Sequence, residues 1–560
     1  MISKRISSFF RQINVCLRII LGWGMALVLT GCPGSGDDPV KPTPTPTPTP
    51  GKDVAVTSVT VSQAKGYLEK NGTLYLEASV KPDNATNKTV TWASSNSAVA
   101  TVSSTGQVTA KAPGTALITA TAGGKAANCN VTVLDAATDL SLMDIYGNTV
   151  SRTTANCYVV SKPGFYKIPM VYGNAIKNGA TNRDSYVSSA TGTSILANFL
   201  DHKGIGISTG NDTKDPWVSQ KYSITKTGLI WMDSENLVEG IAMTGSSGAK
   251  ENKYLTFYID KANFTQGNAI VAAYDAEGLV AWSWHIWVTD ANLSPIPVKN
   301  LVQEINFLPV FLGWCEPKSE KSKNGDTFGN CVFYQWGRKD PILGTKGSGN
   351  NTSKVYYGAK GYVDGSFKSA YLKDDIKSYI QNPGRMNSSA DMDKKYTNLW
   401  SIDAGVNANV VDMPKKTVYD PSPAGFCVPP AISFTGFTKN GAWTNAQENI
   451  NSSEPFKTGV GFYFYTGGWK TGALIHFPAV GSRRYDTGNI YDAGGAGWCW
   501  FATCNSAADP LMIAFFKPTA GVDTVGPSMG AGKSSNNAVL PCQEQQFNRC
   551  LLWCIINGEQ

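Results

Sequence analysis

Val90-Thr91-Trp92-Ala93-Ser94-Ser95-Asn96 is followed by Val99-Ala100-Thr101-Val102, Gly106-Gln107-Val108-Thr109-Ala110 and Gly114-Thr115-Ala116. The stretch alternates apolar and polar residues in runs of four to seven and breaks each run at a turn cluster. Such period-2 runs are half-buried strands, and their close spacing indicates a β-sandwich. The pattern extends both ways. Leu74, Leu76, Ala78 and Val80 alternate with Tyr75, Glu77 and Ser79, and Ala116, Ile118 and Ala120 lead to Cys129, Val131 and Val133. Pro82-Asp83-Asn84, Ser94-Ser95-Asn96 and Gly106 supply turns. A small all-β unit over residues 53–134 is expected, with Trp92 filling its core.

These phrases resemble the bacterial Ig-like group 2 domain over the whole 53–134 segment. The resemblance implies a spacer in a surface protein.

Upstream, Pro and Thr alternate from Pro42 to Pro50. This composition holds an extended stalk of about 3.1 Å per residue. Before it, Lys4, Arg5, Arg11 and Arg18 precede an apolar run from Ile19 to Leu29, and Leu29-Thr30-Gly31-Cys32 follows. A basic start, a short apolar run and small residues at the cut describe a signal peptide over 1–31. The run is too short for the roughly 20 residues of a membrane span. Leu-Thr-Gly-Cys resembles a bacterial lipobox, which implies cleavage before Cys32 and lipidation there, with residues 32–52 as anchor and stalk. Several acyl chains hold a protein on a membrane where one would be marginal. Asp37-Asp38 resembles the surface-export signal of lipoproteins from Bacteroides-type bacteria, and reads equally well as an acidic linker. An outer-membrane lipoprotein exposed on the cell surface is the expected location.

The chain has 560 residues, too many for one core, so several domains are expected. The net charge of +7 falls to +3 when Lys4, Arg5, Arg11 and Arg18 leave with the signal. That balance gives no basis for nucleic-acid binding. Twelve cysteines are present without a Cys-x-x-Cys pair or a histidine at zinc spacing, so no metal site and no cofactor are expected. Cys315 and Cys331 would close a polar loop, Glu316 to Asn330, and are the local pair expected to bridge in an oxidising compartment.

Residues 136–298 read as a second β-sandwich. Its strands include Leu255-Thr256-Phe257-Tyr258-Ile259 and Val280-Ala281-Trp282-Ser283-Trp284-His285-Ile286-Trp287. In the latter both faces carry large residues, as in a strand covered on both sides. Residues 299–545 hold many glycine turns and one short helix, Asp374-Asp375-Ile376-Lys377-Ser378-Tyr379-Ile380. The apolar tail 546–560 is too short to span a membrane.

Ala155-Asn156-Cys157-Tyr158-Val159-Val160-Ser161, Trp282-Ser283-Trp284-His285-Ile286-Trp287, Tyr334-Gln335-Trp336-Gly337-Arg338-Lys339-Asp340-Pro341, Tyr419-Asp420-Pro421 and Phe477-Pro478-Ala479 occur in order before Cys542. The series resembles surface lipoproteins of Bacteroides-type bacteria that carry a paralogous domain first noted in Fibrobacter, similar in plan to a C-type-lectin-like fold. The resemblance implies a mainly β, multidomain protein: Ig-like sandwich, second sandwich, then an α+β C-type-lectin-like module. It implies a cell-surface adhesin or a fimbrial tip subunit of unknown ligand, with glycans, host or matrix proteins, or pilin subunits as the candidate partners. Two departures stand out. Ser422 occupies the family's cysteine position and Cys427 lies near its arginine position, so a Cys427–Cys542 bridge would substitute for the family's own. Phe307-Leu308-Pro309-Val310-Phe311 replaces a polar family strand.

Chemistry-bearing residues are sparse. His202, His285 and His476 are isolated in sequence, and His285, between tryptophans, reads as a hydrogen-bonded core residue. Asp374-Asp375 and Asp391-Met392-Asp393 read as solvated charge rather than a calcium site. No nucleophile elbow, phosphate loop or dinucleotide fingerprint occurs. A non-enzymatic binding protein is expected; a carbohydrate-active or other enzyme on the lectin-like module is the alternative. Turn-borne aromatics are the better lead. Trp443 in Asn440-Gly441-Ala442-Trp443 and Trp469 in Gly467-Gly468-Trp469-Lys470 either cover sugar C–H faces or pack the core, with Arg483, Arg484 and Tyr485 as polar contacts.

Overall fold

The computed structural model describes residues 53–210, 216–245, 247–316, 331–344, 356–358, 361–363, 375–386, 396–402, 412–505, 507–517, 522–532 and 535–544. The segments expected to be signal, lipid anchor and stalk, and the tail 546–560, lie outside the described residues. Among the described residues, the α-helices are Val218–Lys221 and Ile376–Gln381, of four and six residues, so the protein is mainly β. Among the described residues of the third region an α+β balance is not seen. The expected short helix exists as Ile376–Gln381, where Asp375 caps the start by accepting from Ser378 N at 2.7 Å. No helix among the described residues is long and apolar enough to cross a membrane.

The Ig-like segment folds as its alternation dictates. Strand Lys125–Leu134 runs parallel to Lys65–Glu69 and antiparallel to Gly114–Ala122, which pairs Thr91–Ser94. Leu68, Leu74, Leu76, Val108, Ile118, Cys129, Val131 and Val133 form its core. Trp92 is only half-buried. It packs against this core and a second small cluster around Val59 and Val80. Gly106, at φ +84°, lets its ring pass: a Cβ there would lie 3.0 Å from Trp92 Cζ2.

This unit is built into its neighbour rather than strung beside it. Strand Glu239–Met243 lies between the Ig-like unit and strand Tyr254–Ile259, bridging Gly66 through Gly240 and Thr73 through Met243. Ala242 belongs to the Ig-like core. Tyr67 stacks on Tyr258 at 4.0 Å, and Lys65 Nζ reaches Glu239 and Asp260 at 3.2 and 3.1 Å. Exposed pairs of this kind contribute at most about 1 kcal/mol each, so strand pairing and apolar contact carry most of the joint.

In the next region Val280–Val288 pairs Cys157–Val160 in parallel and Gly267–Asp275 antiparallel, and every residue of Val280–Val288 is buried. The expected two-sided cover is therefore observed. One contiguous core continues through position 298 to Cys542, so packing crosses the 298/299 division. Beyond it, short strands pair across long sequence distances: Glu304–Phe307 with Cys542–Gln543, and Tyr334–Gln335 with Asn536–Asn537. Ala496–Cys504, Pro510–Phe516 and Thr524–Gly530 form an antiparallel sheet in which Trp498 and Met529 are half-buried.

Candidate functional site: exposed tryptophans on two loops

Most described tryptophans are buried, but Trp443 and Trp469 are 53% and 40% exposed. Trp469 and Lys470 form the two-residue tip of the hairpin Gly461–Tyr465/Leu474–Pro478, closed by the Gly468–Thr471 bridge. Lys470 sits at φ +54° and sends its ammonium to Ile450 O and Ser452 O at 2.5 and 2.8 Å. Buried Asn451 anchors this tip. Its Nδ2 donates to Gly436 O and Gly468 O, both at 2.8 Å, and its Oδ1 accepts from Lys470 N. The Trp443 loop hangs from the same segment, where Thr438 Oγ1 donates to Ala442 O. Two flat apolar rings are thus held out on loops whose bases are fixed by hydrogen bonds, a low-entropy way to present contact area.

The expected polar contacts separate. Arg483 is a correction: it is 1% exposed, and its guanidinium donates to Leu343 O and Gly488 O. Burial pushes its pKa down to about 10. It braces two loops and cannot meet a ligand. Arg484 is exposed, pairs with Asp486 at 2.6 Å and lies over the Tyr491 ring at 5.8 Å. That pairing holds the Asp486 carboxyl down to about 2. Tyr485 is half-buried.

The histidines are engaged. His285 Nε2 donates to Asn268 Oδ1 at 2.9 Å, because Asn268 Nδ2 already donates to Asp233 and Gly313 O; Nδ1 accepts from Tyr334 Oη at 3.3 Å. Burial drives its pKa to about 3, so it is a neutral core residue. His202, fully buried, contacts Asp275 at 3.0 Å, and His476 donates from Nε2 to Val460 O at 3.0 Å. Burial lowers both pKa values. Among the described residues no group of three His, Cys, Asp or Glu could hold a metal. Asp375 caps its helix, while Asp374, Asp391 and Asp393 lie outside the described residues.

The phrase Tyr334–Asp340 proves to be core. Trp336 Nε1 donates to Phe501 O; Arg338 donates to Gln335 Oε1, Arg385 O and Asn382 O. Lys339 Nζ meets Ser283 Oγ and both Asp340 oxygens, 4.5 Å above the Trp282 ring. The pocket beside it, lined by Arg338, Tyr379, Ile380, Leu399 and Tyr419 among others, has room for about one water.

Cys427 and Cys542 face each other across antiparallel strands with sulfurs 3.7 Å apart. Cys315 and Cys331 are buried at the ends of a segment, 317–330, that lies outside the described residues. Cys32 lies outside them too.

Residues 55–133 match the bacterial Ig-like domain (group 2) family, so this part of the chain is such a domain. The kappa-carrageenase of Pseudoalteromonas carrageenovora is 54% identical over 66 residues, 12% of this chain and 17% of that protein. An Ig-like virion protein of Serratia phage KSP90 is 48% identical over 83 residues, 14% of this chain and 32% of its own length. The chain thus spans a third or less of these relatives. Domains 5-6 of the S-layer protein SbsC are similar at 14% identity and a TM-score of 0.16, covering 42% of this chain and 99% of that one.

Proposed function

We propose that the chain is a non-enzymatic cell-surface lipoprotein, anchored through Cys32, whose 299–545 region binds a ligand, with glycans as the favoured class. The observation that carries this reading is the exposure of Trp469 on a tip fixed by Asn451 and of Trp443 on a loop fixed by Thr438 and Thr444. Flat rings with exposed faces suit the C–H faces of sugars, while nearby amides and hydroxyls can take their hydroxyl groups. The engaged state of His202, His285 and His476 supports a binding rather than a catalytic role. Pairing of Glu304–Phe307 with Cys542–Gln543 joins the two ends of the region, which supports the lectin-like plan. A glycan and matrix-protein array with the full chain tests the reading. Binding to a defined glycan series, lost in Trp443→Ala and Trp469→Ala, is expected. Reproducible turnover of a glycan, abolished by one acidic substitution, would instead establish an enzyme, and co-purification with pilin subunits without ligand binding would establish an assembly role.

Anchoring has its own test. Cys32→Ala is expected to move the protein from the membrane to the soluble fraction; unchanged membrane retention would refute lipidation at that residue.

The Cys427–Cys542 contact is expected to be a disulfide once the protein leaves the cytoplasm. The sulfurs need to close from 3.7 Å to about 2.0 Å between directly opposed residues. Non-reducing peptide mapping should recover the two cysteines in one linked pair. Free thiols at both positions in surface-derived protein would show the pair to be reduced.

A further inference from the structure

We propose that one face of the sheet Ala496–Cys504/Pro510–Phe516/Thr524–Gly530 carries an extended strip for a linear, uncharged oligosaccharide, on which exposed Tyr491 and half-buried Trp498 and Met529 continue the surface that Trp443 begins. The inference rests on the ligand-binding reading of Trp443 and adds the form and charge of the ligand.

Strand register carries the argument. Trp498 pairs Ala514, and Ala514 pairs Gly526. Thr444 bridges Val525, with hydrogen bonds in both directions, which sets Trp443 beside Gly526 as a fourth position in the row. Residues opposed across strands point to one face. Trp443 does lie there: a Cβ on Gly526 would be 3.2 Å from its Cδ1. The two tryptophans therefore stand on one face with two small residues between them, and the thioether of half-buried Met529 fills the place above Gly526. Methionine adapts its shape to what packs on it.

The row continues beyond Trp498. Gly481 bridges Gly497 on the strand edge opposite to Pro510–Phe516, and the next residue, Ser482, pairs Tyr491. The Tyr491 ring, on a residue 45% exposed, lies 6.2 Å from that of Trp498. Three strand spacings separate Trp498 from Trp443, about 14 Å, and Tyr491 brings the row to roughly 20 Å. A single sugar cannot reach both ends, whereas a chain of linked rings can.

Charge narrows the ligand class. The cation at the Tyr491 end, Arg484, is neutralised by Asp486 at 2.6 Å. At the other end Trp443 is flanked by Asn440, Thr444 and Asn445. Lys439 and Glu448, of opposite sign, lie on the Trp443 loop and Asp492 follows Tyr491, so the strip carries no net positive charge and suits a neutral chain better than an acidic one.

The test uses the full chain against arrayed linear gluco-, xylo-, manno- and galacto-oligosaccharides from disaccharide to hexasaccharide. For the bound series, affinity is expected to rise with length. Tyr491→Ala should weaken the hexasaccharide about tenfold, the worth of one ring contact. Tyr491→Phe should retain binding. A disaccharide bound as tightly as the hexasaccharide, or a hexasaccharide indifferent to Tyr491→Ala while Trp443→Ala abolishes binding, would overturn the strip and leave the Trp443 site standing. Preference for anionic glycans with strong salt dependence would overturn its neutral character. Binding to no arrayed sugar would remove the glycan reading itself.

Discussion

Lys416→Met is expected to destabilise the protein by about 3–5 kcal/mol, enough to unfold a marginal domain. Lys416 is 4% exposed, and its three ammonium protons meet three carbonyls: Ser422 O at 2.8 Å, Pro423 O and Phe426 O at 2.7 Å. The reason lies in the sequence. Asp420-Pro421-Ser422-Pro423-Ala424-Gly425 contains two prolines, which lack N–H groups, so the loop is short of backbone donors for its inward carbonyls. Buried Asp420 satisfies the loop's donors instead, accepting from Ser422 N and Val428 N. Asn156 ties this node to the neighbouring sheet, donating to Val418 O and Asp420 O and accepting from Trp282 Nε1. Methionine keeps the apolar stem but orphans three buried acceptors and leaves Asp420 without its nearby cation. Urea unfolding of the full chain measures the effect. A loss below about 1 kcal/mol would show that water or loop rearrangement replaces the ammonium.

Acidification from pH 7 to pH 4 is expected to cost roughly 3 kcal/mol through His285 alone. Burial holds its folded pKa at about 3, below the 6.5 of a free imidazole. Below pH 6.5 the unfolded chain takes up a proton that the folded one refuses, so stability is full above that pH and falls as pH drops toward 3. His202 and His476, also depressed, add in the same direction. Asp420 opposes them: burial raises its pKa, so the carboxyl costs stability when charged and recovers it as pH falls. Equilibrium unfolding at pH 7, 5.5 and 4 should show the decline, and His285→Gln, neutral throughout, should flatten it. An equal decline in the variant would assign the effect to other groups.

The Ig-like segment was legible because its alternation is local: each run from Leu74 to Val133 carries its own period. The joint to Glu239–Met243 was not, since nothing near Gly66 or Thr73 reveals that a strand over 160 residues away will pair with it. Arg483 misled for a related reason. A charged residue beside Arg484 and Tyr485 reads as surface, and only the carbonyls of Leu343 and Gly488, from other segments, explain its burial. Trp443 and Trp469 could be singled out because glycine and asparagine mark their turns. Tyr491, Trp498 and Met529 could not, because their row is assembled from strands that meet only in the folded chain.

The central claim is that Trp443 and Trp469 face a ligand, and the most direct measurement is binding by the Trp443→Ala/Trp469→Ala double variant to the glycan that the full chain selects. Both side chains are substantially exposed, so the variant should unfold within about 0.5 kcal/mol of the parent. It should nonetheless lose at least about tenfold in affinity. Undiminished binding by a variant of parental stability would contradict the account.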